Sequence, residues 1–482
     1  MAESVEASAG GPAGRLATAL SSLILAAAVG AVIWTGWSHT RNGPKTTEVA
    51  RLQLEALDRA RRGYLMDPGS GPTGAMRTRY LADAVHALGQ LARLDPSFGN
   101  LRKLMLTEHM AGGAWRGTAL RLRGQGGQRP LLERDAEIAL WAQVLGDDPI
   151  PAEGVAPARS LIRTMGLGWF EHVALSRLYQ RAGMAHAAAT ETRSARFTAV
   201  LMGLFDTGVL VALTAGILAL AFVIRSWRRP EAEGGASGWR LPERLSADAA
   251  LACRVAFCVY LGGILLVRLA SPALLGLSRS APRAAADPIA MGLLSTILLA
   301  LSAAPPVAVL VWQGRRAGLG MAEFGFTGAR PWRDAGLALT GYLAIFPVLT
   351  VTILATSRLL GDDPTPLNPA ITAFAGSGSS FVRAMLLCQA VVVAPVVEEF
   401  MFRAVLFRGL QGQMRTRWAI LGSAAVFAAL HPQLPAGFPV LFVLACGFSL
   451  LYLRSGNLLA SVLAHALNNG GVFVYLALVA GT

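Results

Sequence analysis

The sequence predicts an all-α, polytopic helical membrane protein with about nine transmembrane helices and an all-helical soluble insert. Of its 482 residues, 54% are hydrophobic and only 15% are charged, a balance that argues against a water-soluble globular protein. Apolar runs recur along the whole chain, and the longer ones can cross the hydrocarbon core. The runs are residues 16–37, 200–224, 251–272, 289–313, 335–357, 382–397, 417–431, 437–453 and 457–480.

The first run, residues 16–37, reaches spanning length and is interpreted as a retained membrane helix rather than a signal peptide. A short N-terminus, residues 1–15, precedes it, and a hydrophilic insert at 38–198 follows it. Helix-period patterning, interrupted by proline and glycine, predicts that the insert is all-helical. The patterned segments are Val49–Met66, Arg79–Leu94 and His172–Phe197. No metal, nucleotide or nucleophile motif is found in the insert, so recruiting a substrate, sensing an envelope condition and binding a protein partner all stay open.

After the insert we expect a second transmembrane helix at 199–224, a basic linker at 225–249 and a multi-helix membrane domain at 250–482. The formal charge of +14 comes almost wholly from arginine, and arginines clustered at helix ends mark cytoplasmic loops and lipid headgroup contacts. The clustered arginines are Arg225, Arg228, Arg229, Arg315, Arg316, Arg330, Arg333, Arg403, Arg408, Arg415 and Arg417. The N-terminus is therefore expected inside, and the insert and the C-terminus outside, a bacterial cell membrane.

Two further composition features exclude whole classes of function. No basic run is interleaved with aromatic residues, so we expect no nucleic-acid partner. The cysteines lie in apolar stretches without a Cys-x-x-Cys pair, which favours buried small hydrophobes over a disulfide frame or a thiolate metal site. These cysteines are Cys253, Cys258, Cys388 and Cys446.

Two adjacent glutamates, Glu398 and Glu399, end the apolar run 382–397 and are followed by Arg403. An ionised side chain inside a membrane is costly and by default indicates function. On a helix, Glu399 and Arg403 lie on one face, while Glu398 points about 100° away. One carboxylate can therefore be held by the guanidinium while the other faces a cavity, and either Glu398 or Glu399 could act as a general base towards water.

Further polar groups lie on two later apolar runs. His431 follows Phe427 by four residues and stands before Pro432, which places the imidazole at a helix end. His465 and Asn469 share a four-residue spacing, and an imidazole and an amide there could polarise water, bind a metal or stabilise an oxyanion. Each pair alone is explained by helix packing. Three such polar faces on three of the last four runs favour a joint function.

These three motifs, Glu398-Glu399-x-x-x-Arg403, Phe427-x-x-x-His431 and His465-x-x-x-Asn469, resemble in order and spacing those of the CAAX-protease and bacteriocin-processing family of intramembrane proteases. That family is also called Abi or type II CAAX prenyl endopeptidase-like. The resemblance covers roughly residues 250–482. It implies an all-helical intramembrane endopeptidase whose polar cavity opens to the cytoplasmic side.

The resemblance also implies roles for single residues. Glu398 resembles the base that activates water, with Glu399 and Arg403 orienting it. His431 resembles its partner in water activation, and His465 with Asn469 resemble the second histidine and the oxyanion-stabilising amide. Glu398, His431 and His465 could instead bind zinc, although no His-Glu-x-x-His motif is present. The topology argument puts His431 near the opposite membrane face, unless the run 417–431 fails to cross.

The first helix and the insert depart from a typical member of this family, so processing of prenylated proteins does not follow. We expect membrane lipid and a protein or peptide substrate as partners. A non-catalytic scaffold or immunity-type binding protein is the alternative. A proton-coupled transporter is a weaker one, because two corresponding pairs of interrupted helices are not found.

Overall fold

The structure, a computed structural model, describes residues 12–41, 46–66, 72–125, 131–227, 245–279, 304–316, 320–326, 330–360, 369–377 and 379–480. Every regular element in these residues is helical, and none of them forms a strand. The predicted all-α class is therefore confirmed.

The α-helices of the described residues are α1 (Pro12–Arg41), α2 (Thr46–Leu65), α3 (Pro72–Leu94), α4 (Phe98–Met110), α5 (Trp115–Gly124), α6 (Leu131–Leu145), α7 (Ala152–Thr164), α8 (Trp169–Arg181), α9 (Ala185–Trp227), α10 (Ala247–Arg279), α11 (Ala304–Arg316), α12 (Pro331–Leu360), α13 (Pro369–Gly376), α14 (Ser380–Gln411), α15 (Thr416–Leu430), α16 (Gly437–Ser455) and α17 (Leu458–Ala480). A short 3₁₀ turn, Met321–Phe324, lies between α11 and α12.

Six helices within the described residues are long and apolar enough to cross a membrane. Their candidate spans are Ala185–Ser226, Ala247–Leu266, Pro331–Leu360, Ser380–Gln411, Gly437–Ser455 and Leu458–Val479. Three shorter apolar helices accompany them at Ala19–Trp34, Ala304–Gln313 and Thr416–Leu430. Each predicted apolar run overlaps one of these segments, with residues 289–303 of the fourth run outside the described residues. The chain is thus a multi-pass helical membrane protein, and its exposed apolar side chains are suited to contact with lipid.

The chain divides into two compact units. The first contains Met1–Gly43 and Leu210–Phe473, and the second contains Pro44–Val209 and Val474–Thr482. Helices α9 and α17 each contribute to both units. The predicted end of the insert at residue 198 falls inside α9, which continues into its apolar part without a break.

The second unit has its own core, in which Leu91, Trp141 and Phe170 are almost completely buried. A buried ion pair adds to this core, because Arg102 donates to both oxygens of Glu137 at 2.6 and 2.8 Å. The patterned segment 172–197 is not one helix. It is divided between α8 and α9 at Gly183, whose φ of 70° lies in the left-handed region that glycine adopts without cost.

In the first unit, α12 and α16 pack closely through glycines on both helices. The Cα of Gly447 on α16 abuts Ile345, and the Cα of Gly341 on α12 abuts Leu451. A Cβ at either glycine would overlap the facing side chain. Small residues at helix crossings are the usual way to bring transmembrane helices together.

Two arginines that the sequence analysis assigned to a cytoplasmic loop are internal. Helix α14 continues to Gln411, so Arg403 and Arg408 lie within it, and both are buried. Arg408 donates to the carbonyl of Glu323 at 3.1 Å and to Gln411 at 2.7 Å. The positive-inside argument for this end of α14 therefore rests on Arg415 and Arg417, which are exposed.

Candidate active site

Helix α14, which carries both glutamates, is irregular on either side of them. The α-helical stretch Ala394–Glu399 lies between two π-helical stretches, Gln389–Val393 and Phe400–Phe407. A π-turn widens the helix and changes the direction of the side chains that follow, and such turns occur frequently at functional sites. The hydrophobicity of the predicted run 382–397 does not indicate this irregularity.

The first π-turn leaves one backbone carbonyl without a backbone donor. Ala394 N–H donates five residues back to the carbonyl of Gln389, so it does not serve Ala390. The next residue, Pro395, has no N–H at all. Asn469 on α17 supplies the missing donor, with its Nδ2 at 2.8 Å from the Ala390 oxygen. This bond ties α17 to α14 about two turns ahead of the glutamates.

Glu399 is the centre of a buried ion pair with Arg403. Its side chain is completely buried, and Oε1 lies 3.0 Å from Arg403 Nη1 and 2.9 Å from His465 Nδ1. Arg403 also donates to the carbonyl of Ala445 at 3.2 Å. Glu399 and Arg403 are neighbours, as their four-residue spacing predicts, while the link to His465 joins residues 66 positions apart.

Aromatic rings fix the charged groups of this site. The Arg403 guanidinium carbon lies 4.9 Å from the ring centre of Phe427 and 5.3 Å from that of Phe448. Phe448 also stacks on His465 at 5.1 Å, and Phe427 meets Phe402 edge-on at 4.9 Å. A cation between two aromatic faces is stabilised in a site that excludes water.

The hydrogen bonds of the two histidines determine their tautomers. His431 Nδ1 lies 2.7 Å from the carbonyl oxygen of Phe427, which can only accept. His465 Nδ1 faces Glu399, a carboxylate that also pairs with Arg403. In the neutral form, each histidine therefore carries its proton on Nδ1 and has a lone pair on Nε2.

Both lone pairs face the same oxygen of Glu398. The Nε2 atoms of His431 and His465 lie 3.9 and 3.8 Å from Glu398 Oε2. These separations are too long for direct hydrogen bonds, and a water molecule can bridge them. Glu398 and His431 are each 20% exposed, whereas Glu399 is sealed off. Three acceptors thus surround a point that a water molecule, as a donor, can occupy.

The same three side chains are the zinc ligands that the sequence suggests. Two imidazole nitrogens and a carboxylate are suitable donors for zinc. The separations of 3.8 and 3.9 Å are, however, wider than the spacing of about 3.3 Å between tetrahedral ligands at zinc–ligand distances of about 2.0–2.1 Å. Among the described residues, no three His, Cys, Asp or Glu side chains are placed to hold a metal ion. As arranged, the set does not fit zinc.

All six predicted site residues are brought into one region of the first unit. Asn469 is in contact with the α14 backbone, and Asn468 Nδ2 donates to its Oδ1 at 3.2 Å. The sequence analysis missed Phe448, which no motif marks, and Pro395. A proline inside an apolar run was the available signal for Pro395, because it must leave a carbonyl without its donor.

The fold and this site define a class: a multi-pass helical membrane protein with a buried cluster of glutamates, histidines and arginine. Residues 380–471 match the family model described as type II CAAX prenyl endopeptidase Rce1-like. The family resemblance that the three motifs predict is therefore confirmed for residues 380–471, which are similar to this family of CAAX protease-type hydrolases. All six site residues lie inside the matched range, and the insert lies outside it. No curated protein and no solved structure matches the chain.

Proposed function

We propose that the protein is an intramembrane endopeptidase that hydrolyses peptide bonds with a water molecule activated by Glu398. The observation that carries this proposal is the convergence of Glu398 Oε2 with the Nε2 atoms of His431 and His465 at 3.9 and 3.8 Å. A water at this point can donate one hydrogen to the Glu398 carboxylate and the other to one of the two imidazole Nε2 atoms. Its oxygen is then left free to act as a nucleophile.

In the first step, Glu398 takes a proton from the bound water while the water oxygen bonds to the carbonyl carbon of the substrate amide. The Nε2 lone pair of His431 or His465 accepts the second hydrogen of the water and so orients it. The carbonyl oxygen becomes an oxyanion. We assign its stabilisation to the second N–H of the Asn469 amide, since the first is bound to Ala390.

In the second step, the tetrahedral intermediate collapses. The carbon–nitrogen bond breaks, and protonated Glu398 returns its proton to the leaving amine. The products are a new carboxyl terminus and a new amine, and Glu398 is again ionised. Glu399 takes no part in proton transfer, because Arg403 pairs with it and it holds His465 in the required tautomer.

The substrate in this proposal is a protein or peptide that enters the site from the cytoplasmic membrane face, to which the polar cavity is expected to open. Exposed Arg415 and Arg417 follow α14 and support that side by the positive-inside rule. Helix α15 has 15 residues and is about 22 Å long, short of the ~30 Å hydrocarbon core. Its short length lets His431, at its end, lie at the depth of Glu398.

The test compares membrane peptidomes from cells that carry the wild type, Glu398→Gln or Glu323→Gln. Glu398→Gln keeps the side-chain shape and removes the base, while Glu323 is an exposed glutamate outside the site. A cleavage product present with the wild type and Glu323→Gln but absent with Glu398→Gln supports the proposal and identifies a substrate.

The scaffold alternative predicts the opposite pattern. If deletion of the gene gives a phenotype that Glu398→Gln rescues fully, and the peptidomes are the same, the peptidase proposal is wrong. Function would then be expected to depend on residues 38–198 rather than on Glu398.

Zinc dependence stays a separate prediction of the family resemblance. Purified protein is dialysed against a strong chelator and assayed before and after zinc is returned. Activity that is lost and restored by zinc would mean that the three side chains close around a metal. Activity that is unchanged by chelation supports the glutamate–histidine mechanism described above.

A further inference from the structure

The insert contributes a buried arginine that binds the end of α17, the helix that carries His465 and Asn469. Arg61 on α2 is completely buried. Its Nη1 donates to the carbonyl oxygens of Leu478 and Val479, the latter at 2.8 Å. Arg61 and these two carbonyls belong to the same compact unit, which includes residues 474–482.

This contact meets a requirement of the helix end. The last four carbonyls of a helix have no intrahelical donor, and α17 ends at Ala480. A guanidinium placed there satisfies two of those carbonyls and complements the negative end of the helix dipole. The insert thus provides the C-terminal cap of α17.

The position of Arg61 is itself fixed by the insert. Its guanidinium carbon lies 5.5 Å from the ring centre of Trp169, and Trp169 Nε1 donates to the carbonyl of Ala195 at 3.0 Å. Burial lowers the pKa of the Arg61 guanidinium to about 10, with Asp58 opposing that shift, so the group stays cationic at neutral pH. The same Asp58 carboxylate lies close to Tyr475 of α17.

Between the capped end and the site, α17 contains a pair of glycines, Gly470 and Gly471. A Cβ added at either glycine would meet no atom within 4 Å, and neither has a positive φ. Close packing and backbone conformation therefore do not require glycine here. Glycine pairs make a helix easier to bend, and this pair directly follows Asn469.

We propose that Arg61 is a positioning residue for the same site: by holding the end of α17, the insert fixes the helix that presents His465 and Asn469. This inference rests on the proposed peptidase function. Asn469 is about 15 Å along the helix from Val479 at 1.5 Å per residue. Because a flexible glycine pair lies in between, the position of His465 and Asn469 depends on whether the C-terminal end of α17 is held. The insert thereby positions two residues of the site, whether or not it also binds a partner.

The test measures kcat and KM of the full-length protein on a cleaved peptide for the wild type, Arg61→Gln and Arg102→Gln. Both variants remove a buried insert arginine, and Arg102 pairs with Glu137 rather than with α17. We expect Arg61→Gln to lower kcat about tenfold with KM unchanged, because small misplacements of catalytic groups are costly. Arg102→Gln is expected to keep the wild-type kcat. Equal effects of the two substitutions, or none, would overturn the proposal.

A rescue variant separates positioning from simple loss of insert stability. Ala at both 470 and 471 fits without a clash and stiffens the helix. In the Arg61→Gln background, Gly470→Ala with Gly471→Ala is expected to restore most of the lost kcat. If kcat of this triple variant stays as low as that of Arg61→Gln, the defect arises in the insert itself, and the proposal is wrong.

Hydrogen–deuterium exchange keeps this inference testable if the peptidase function fails. Should the wild type cleave no peptide, exchange over residues 465–480 is compared in the same three proteins. Faster exchange in Arg61→Gln alone supports the cap of α17 by the insert. Identical exchange in all three contradicts it.

Discussion

Glu399 has no route to solvent, so its charge depends on its partners. Among the described residues, Arg403 is the arginine or lysine that forms an ion pair with it, and His465 donates to the same oxygen. Removing one partner of a buried ion pair leaves an uncompensated charge, at a cost of about 3–5 kcal/mol. We therefore predict that Arg403→Gln lowers the free energy of unfolding in detergent by this amount. Because Arg403→Met with Glu399→Gln leaves no charge, that double variant is expected to be more stable than Arg403→Gln alone. Equal melting of wild type and Arg403→Gln would show that the pair is solvated.

Single-residue features differ in how far the sequence predicts them. That Glu399 and Arg403 lie next to each other follows from their four-residue spacing on a helix alone. The bond from His465 to Glu399 does not, because it joins two helices whose packing no local pattern encodes. The three motifs nominate the right residues, and tertiary structure decides which nitrogen faces which oxygen.

At the scale of elements, the link between α14 and α17 depends on Pro395. Asn469 binds the Ala390 carbonyl because neither Ala394 nor Pro395 donates to it. We predict that Asn469→Ala costs about 1–3 kcal/mol of stability, since it leaves a polar group unsatisfied in the membrane. With Pro395→Ala, the new N–H at position 395 can serve that carbonyl, so Asn469→Ala is expected to cost much less. Thermal unfolding of the four proteins of this double-mutant cycle measures the coupling; additive costs would refute the link.

The crossing of α12 and α16 gives a second prediction at this scale. Gly447 abuts Ile345 and precedes Phe448, the ring stacked on His465. Gly447→Val is expected to destabilise the protein by about 1–3 kcal/mol through overpacking. Gly263→Ala on α10, where a Cβ meets nothing within 4 Å, is the control and is expected to be tolerated. A Gly447→Val protein that melts like the wild type would show that the helices can separate there at no cost.

The nine apolar runs predict the apolar helices well, because burial in lipid needs length and hydrophobicity, which composition records. The composition of the sequence predicts irregular turns and breaks within helices less well. The π-turns of α14 arise from tertiary contacts, and the break at Gly183 separates two helices with similar periodicity. Both features direct side chains, and neither changes the hydrophobic pattern.

At the scale of the whole molecule, topology is the prediction that most needs a direct test. The insert is predicted outside the membrane and the loop after α11 inside. A cysteine replacing Glu153 in the insert should react with a membrane-impermeant maleimide in intact cells, whereas a cysteine at Arg316 should react only after lysis. Both positions are exposed, and the wild type gives the background of the native cysteines. The reverse labelling pattern would invert the assigned orientation.

The composition of the chain predicts only part of its division into two units. The hydrophilic stretch 38–198 predicts a separate insert, and a helical unit with its own core is found there. The sequence does not indicate that residues 474–482 belong to that unit, because they continue an apolar helix. Arg61, which binds this segment, looks like any surface arginine of an amphipathic helix until its contacts are known.

The central claim, that Glu398 activates water in a membrane-embedded site, is tested most directly by the cleavage rate of purified protein in lipid vesicles. The wild type, Glu398→Gln and the exposed-site control Glu323→Gln are compared on one peptide substrate under single-turnover conditions. Loss of a general base is expected to lower the rate by about 10²–10⁴-fold, with Glu323→Gln unchanged. A Glu398→Gln protein that cleaves at the wild-type rate would contradict the account.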